Sequence, residues 1–269
     1  MTENSLDGKP LHGKRAIVTG STSGIGAGIA RVLAEAGCQL TLNGFGERDL
    51  IEEMRDELAR NSGAEIAYYQ ADVSDEIQFS ALVADMEARL GGVDILVNNA
   101  GVQHVAPVED FASERWDAMI AVNLTAAFYG IRAALPGMKR RNWGRIINIA
   151  SAHGLVASPN KSGYVAAKHG LIGLTKVVAL ENAMTGVTCN AVCPGWVRTP
   201  LVERQLEARA SREGVTVDAA AHSLLAEKHP NMAFIEASDI GALIVWLCGD
   251  AARSVTGAAL SMDGGWTAQ

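Results

Sequence analysis

Three side chains near the middle of the chain have the types and spacing of an acid–base site. In IINIASAHGLVASPNKSGYVAAKHG, Tyr164 and Lys168 stand four residues apart at the start of a helical pattern, which puts both on one face. Ser151 precedes Tyr164 by 13 residues, at the carboxyl end of a run that reads as a strand. A phenol, with an ordinary pKa of about 10, is a poor base at neutral pH, but a neighbouring ammonium favours the phenolate. Tyr164 can then take the proton of an alcohol while Ser151 holds the reacting oxygen. Asn123, in IAVNLTAAF, can tie Lys168 to solvent through a water.

A second constellation, Gly20, Gly24 and Gly26 in AIVTGSTSGIGAGIARVLAEAG, lies between a strand and a helix, with Thr22, Ser23 and Ile25 filling the turn. Its bare backbone and the free N–H groups of a helix N-terminus suit the pyrophosphate of a dinucleotide. The spacing G-x-x-x-G-x-G departs from the G-x-G-x-x-G fingerprint. The acidic residue expected on the adenosine ribose about 20 positions on is missing; the second strand ends instead in Asn43, Gly44 and Phe45. No cation stands at Gly44 or Phe45 for a 2′-phosphate, so NAD is favoured over NADP, with Arg48 close by in sequence. Asp72, followed by Val73, can accept from the adenine amino group or can equally serve a helix N-terminus with Asp75. Asn99, Ala100 and Gly101 in NNAG let a cofactor lie against backbone, and an oxidised nicotinamide beside Tyr164 further favours the phenolate.

The elements that must position these groups alternate strand and helix, the pattern of β-α-β units feeding one parallel sheet. Strands are predicted over Arg15–Thr19, Cys38–Leu42, Glu65–Gln70, Asp94–Asn98, Arg145–Ala150, Val187–Val192 and Ala258–Met262. They imply a Rossmann-type, doubly wound sheet of about seven strands in a single α/β domain spanning residues 1–269. Ile25, Ile29, Leu33 and Ala36 lay an apolar stripe on it. Residues 1–12 read as a frayed polar lead-in. About residues 199–238 carry helical pattern without a strand, an insertion placed to cover the crevice at the carboxyl edge of the sheet as a substrate lid.

A formal net charge of −7 has the wrong sign for a nucleic-acid partner. No apolar h-region and no window approaching a membrane span is seen, and the four cysteines show no C-x-x-C spacing and read as buried thiols. A cytoplasmic setting is expected. Near the acid–base site, Gln103, His153, Lys161 and Gln205 form a nest for a small carboxylate, with Lys161 supplying the opposite charge. Trp196 and Trp266 can close around a methyl group and limit chain length. The substrate expected is therefore a short hydroxy acid, and the chemistry requires no metal.

In order along the chain, TGxxxGxG, NNAG, the Asn of IAVN, the Ser ahead of YVAAK and PGWVRTP resemble the short-chain dehydrogenase/reductase family from Gly13 to Gly265. The resemblance implies a Rossmann-type domain, hydride transfer involving a nicotinamide, and a catalytic tetrad at Asn123, Ser151, Tyr164 and Lys168. It further implies that Pro194, Gly195, Val197 and Thr199 line the nicotinamide end. LNGFG, GVQHV, SAHG, SPNKSGYVAAKHG and DGGWTAQ are similar to a branch of that family acting on a short hydroxy acid with NAD. That likeness implies reversible oxidation, Gln103, His153, Lys161 and Gln205 holding the carboxylate, and a homotetramer with the C-terminal residues through Gln269 at a subunit contact. Two rivals stand beside it, a reductase of 3-oxoacyl thioesters and a nucleotide-sensing module without turnover. Lys161, His153 and the two tryptophans argue against the first, and the intact Ser151, Tyr164 and Lys168 against the second.

Overall fold

Short runs of β-branched and aliphatic residues, too apolar to face water on either side, form a parallel sheet covered on both faces. In the computed structural model, which describes residues 8–268, seven strands lie in the order β3-β2-β1-β4-β5-β6-β7. They are β1 (Arg15–Val18), β2 (Gln39–Leu42), β3 (Ile66–Tyr68), β4 (Ile95–Asn98), β5 (Gly144–Ile149), β6 (Val187–Pro194) and β7 (Ala259–Met262). Every neighbouring pair is parallel. The predicted strands are all present, their ends shifted by a residue or two where caps and turns take over the backbone hydrogen bonds.

Alternation along each strand assigns the two faces. Ala16 and Val18 of β1 pack with Ile29 and Leu33 of α1 (Gly24–Glu35), Leu58 of α2 (Arg48–Ser62), and Ile240 and Ile244 of α9 (Ala237–Cys248). Ile17, pointing the other way, packs with Phe79 and Met86 of α3 (Glu76–Leu90), Ile131 and Met138 of α5 (Ala126–Arg141), and Val178 of α6 (Ser162–Glu181). Ile25, expected on the sheet-facing stripe, is only partly buried and lines the cleft described below. All four cysteines are buried and free.

From β3 the chain returns to pair β4 with β1, so the strand order reverses between β1 and β4. Ligands in such sheets bind beyond the carboxyl ends at this switch point. The insertion after β6 is a helical pair, α7 (Pro200–Glu213) and α8 (Val217–Lys228), joined by the Arg209 guanidinium, which donates to Ser223 Oγ and Glu227 Oε1, both at 2.9 Å. Beyond it a single bridge pairs Val197 with Ile235.

Two expectations are corrected. The lead-in does not fray as far as residue 12: Leu11 is 2% exposed, its N–H donates to Ala36 O, and Lys9 donates to Ser62 O. Its apolar side chain offsets the cost of ordering that backbone; residues 1–7 lie outside the described residues. And α4 (Ser113–Ile120), a π-helical turn over Ala121–Thr125 and α5 run on as one 29-residue helix long and apolar enough to cross a membrane by length and composition. Ala126, Ile131, Ala134 and Met138 of this helix are buried in the core against the sheet.

Candidate active site

At the carboxyl edge of the sheet the β1–α1 turn, the ends of β2 to β6 and the start of α7 surround a cleft of about 870 Å³, within the range of cofactor sites. Gly20 has φ +63°, and a Cβ there would come within 2.9 Å of Ala100 Cα. A Cβ on Gly26 would come within 2.2 Å of Gly20 O. These positions require glycine, and they leave backbone alone facing the cleft. Ser23, at the N-cap of α1, makes no side-chain cap bond, so the first-turn N–H groups stay available to an anion. The turn therefore fits a pyrophosphate.

Thr22 Oγ1 donates to Phe45 O at 2.9 Å, which joins the turn to the end of β2. Asn43, buried, spends its amide on Tyr69 O and Ala71 O and fixes the strand ends that frame the cleft. Asp72 Oδ1 accepts from Ser74 N and Oγ at 2.9 and 2.7 Å, whereas the α3 cap is Asp75. The helix-terminus role thus falls to Asp75, and Asp72 and Val73 line the cleft. Asn99, Ala100, Gly101, Pro194, Gly195 and Thr199 line it too. Val197 does not: its side chain is 4% exposed and packs in the α1–α9 core. The bridge to Ile235 is made by Trp196 O and Arg198 N–H on either side of it, so it is the Val197 side chain that turns to the core.

Deeper in the cleft the tetrad comes together. Lys168 is 3% exposed, and its ammonium donates to Ile149 O at 2.7 Å, 5.6 Å from the Tyr164 ring centroid. Burial lowers the Lys168 pKa to about 8. Burial raises that of Tyr164, against a hydrogen bond from Ser151 that lowers it. Ser151 Oγ also accepts from His153 N at 3.1 Å, which fixes its rotamer. Asn123 sits in the π-helical turn, a widening often found at functional positions. Its Nδ2 donates to Val102 O and Met119 O, and its buried Oδ1 has no partner and so can accept a donor from the cleft.

Beside the tetrad lies a second group of side chains. The His153 ring is 4.8 Å from Trp266 and 6.0 Å from Tyr164, both edge-on, and its Nε2 meets Ser158 Oγ at 3.0 Å. Burial first, then Lys161, lowers the His153 pKa to about 4, so the imidazole is neutral at pH 7. Lys161 Nζ stands 5.5 Å over the Trp196 ring. Gln103 lines the cleft, but Gln205 is exposed on α7, away from its lining. The predicted nest is thus gathered around His153, Lys161, Trp196 and Trp266, and Gln205 is not brought to it.

Sequence reasoning missed Arg204, which lines the cleft from α7, and the pair Lys228–His229 at the end of α8. Lys228 Nζ lies 5.4 Å over Trp266. His229, fully buried, accepts Trp196 N–H at Nε2 (2.7 Å) and donates from Nδ1 to Ala233 O (2.9 Å). Its partner on the substrate-side loop, Trp196, is 33 residues away in sequence, so no local pattern announces it.

The short chain dehydrogenase model matches residues 14–210, and the chain belongs to the short-chain dehydrogenase family. Within it, the chain is 56% identical over 260 residues to the D-beta-hydroxybutyrate dehydrogenase of Cupriavidus necator, covering 96% of this chain and 100% of that one. It is 52% identical over 256 residues to the protein of the same name from Rhizobium meliloti, covering 95% and 99%. Among solved structures, L-sorbose reductase from Gluconobacter frateurii, complexed with NADPH and L-sorbose, superposes with a TM-score of 0.93 at 28% identity, covering 97% of this chain and 99% of that one.

Proposed function

We propose that the protein reversibly oxidises (R)-3-hydroxybutyrate to acetoacetate with NAD, Tyr164 acting as general base. The observation that carries this reading is the juxtaposition of the tetrad with a cationic, tryptophan-walled group at His153, the imidazole ring 6.0 Å from the Tyr164 ring. The relatives named D-beta-hydroxybutyrate dehydrogenase support the substrate, since the D-beta and (R)-3 acids are one compound.

Tyr164 takes the hydroxyl proton, and Lys168, held by Ile149 O, stabilises the phenolate by its charge. Ser151 donates to the reacting oxygen and orients it. When bound, the nicotinamide ring supplies the acceptor for the hydride that leaves the carbinol carbon. Lys161 meets the carboxylate with an opposite charge, neutral His153 and Gln103 offer it hydrogen bonds, and Trp196 and Trp266 enclose the methyl end. Gly20, Thr22, Ser23, Gly24, Ile25, Gly26 and Phe45 would hold the adenosine and pyrophosphate side, and Pro194, Gly195 and Thr199 the nicotinamide side.

NAD is favoured because Phe45, 60% exposed, and Gly44 stand where a 2′-phosphate would need a cation. The α7–α8 pair is read as a lid, with Pro200, Leu201 and Arg204 of α7 on the cleft wall. A cytoplasmic homotetramer completes the reading. The exposed apolar Val177, Leu180 and Met184 support a subunit contact, and Gln269 lies outside the described residues. Light scattering reads the mass directly.

Initial rates of reduced-nicotinamide formation with (R)- and (S)-3-hydroxybutyrate, each with NAD and NADP, test the reading. Turnover confined to the (R) acid with NAD is expected. Equal rates with both enantiomers, or none with either while NADH still binds, would overturn it.

A further inference from the structure

We propose that Lys228, at the C-terminal end of α8, is a specificity-determining residue of the active site, a second ammonium that shares the substrate carboxylate with Lys161. The inference rests on the hydroxy-acid reading above and adds a residue to it.

The two ammonium groups stand over the two tryptophans that wall the substrate end: Lys161 Nζ 5.5 Å from the Trp196 centroid, Lys228 Nζ 5.4 Å from that of Trp266. His153 joins them through its edge-on contact with Trp266 at 4.8 Å. Among the described residues, neither lysine has an acidic side chain within ion-pair distance. Glu227, next to Lys228 in sequence, is engaged with Arg209, and Asp263 accepts from Gly265 N and Thr267 N. Like charges repel, and among the described residues no acidic side chain pairs with either ammonium. The field reaches the neighbours, since burial and then Lys228 lower the Lys161 pKa. A separate observation also points to a ligand. The indole Nε1 of Trp196, beneath Lys161, is a buried donor without a partner, and a carboxylate accepts from such a donor.

The position of Lys228 is built. His229, the next residue, is locked between Trp196 N–H and Ala233 O. A Cβ on Gly195 would come within 2.2 Å of His229 Nε2, so that loop is held tight against the ring. The last turn of α8 is thereby fixed to the segment carrying Trp196, and the ammonium of Lys228 is delivered to the substrate end.

The test compares 3-hydroxybutyrate with its neutral isostere, 3-hydroxybutyramide, in the wild-type enzyme, Lys228→Met, Lys228→Gln and Lys228→Arg. Loss of the charge is expected to raise KM for the acid about tenfold, with kcat within about twofold, NADH affinity unchanged and KM for the amide unchanged, a KM change of one factor of ten corresponding to about 1.4 kcal/mol. Lys228→Arg is expected to keep most of the preference for the acid. Acetate added to the enzyme–NADH complex, followed by the fluorescence of bound NADH, reads the same subsite without turnover and is expected to bind about tenfold more weakly to Lys228→Met. An unchanged acid-to-amide ratio in Lys228→Met, or equal losses on both substrates, would overturn the proposal. A wild-type enzyme inert toward the hydroxy acid would instead defeat the reaction assigned above, and the acetate titration would still decide the role of Lys228.

Discussion

The two halves of the cleft are made in different ways. On the cofactor side the functional atoms are backbone: glycines that admit no Cβ, uncapped N–H groups of α1, and strand ends held by Asn43 and Thr22. On the proposed substrate side they are side chains from separate segments, with His153 following β5, Lys161 at the start of α6, Trp196 after β6, Lys228 on α8 and Trp266 near the C-terminus. The first half recognises a dinucleotide shape that the whole fold class shares, and the second is free to vary with the substrate. Tyr164 and Lys168 stand where the halves meet.

Variants should separate these halves. The largest effect is expected at the junction: Tyr164→Phe removes the proposed general base and should lower kcat by at least about 100-fold, with NADH affinity, measured by fluorescence titration, unchanged. Substantial activity in this variant would remove Tyr164 from the proton transfer. Lys161→Met deletes the proposed partner of the carboxylate, a charged hydrogen bond worth about 1.5–3 kcal/mol, and should lower kcat/KM for the hydroxy acid roughly 10- to 100-fold. Its effect on 3-hydroxybutyramide should be small; equal losses would make Lys161 structural. In the other half, Gly26→Ala forces a Cβ against Gly20 O and should weaken NADH about tenfold while leaving the acid-to-amide preference unchanged. A changed preference would mean that the halves are not independent.

A pH effect sharpens the substrate side. Burial, then Lys161, lowers the His153 pKa from about 6.5 to about 4, so its contribution to stability is fully present above about pH 6.5 and is lost progressively as pH falls to about 4, the window in which only the unfolded chain takes the proton. Stability followed by circular dichroism should therefore decline between about pH 6.5 and 4 with a slope that flattens in His153→Gln, whereas an unchanged slope would assign it to other groups. The smallest effect is expected from Arg209→Ala, which removes the exposed ion pair and the hydrogen bond that join α7 to α8. It should change KM only a few-fold and increase protease cleavage between the two helices.

The same contrast explains what the sequence disclosed. A strand, a glycine turn and a helix follow one another within a few residues, so the β1–α1 cradle, NNAG and the β-α-β alternation of the domain class are readable along the chain. The Tyr164–Lys168 spacing is equally local. Lys228 and His229 carry no such signature, because the groups that give them meaning, Trp196 and Trp266, lie 30 or more residues away from at least one of them. Val197 and Gln205 show the converse: the sequence offers Val197 by resemblance and Gln205 by its place after PGWVRTP, whereas the Val197 side chain packs in the core and Gln205 lies exposed on α7. Leu11 escaped because one apolar residue in a polar stretch makes no periodic signal.

Recognition of the substrate by its carboxylate is measured by the ratio of kcat/KM for (R)-3-hydroxybutyrate to that for (R)-3-hydroxybutyramide with NAD. The two molecules present the same carbinol to Tyr164 and differ only in the charge offered to the other half of the cleft. A ratio of about 100 or more, falling by at least about tenfold in Lys161→Met, is the expected result. A ratio near one in the wild-type enzyme would mean that the substrate is not chosen by its carboxylate and that Lys161 and His153 serve another purpose.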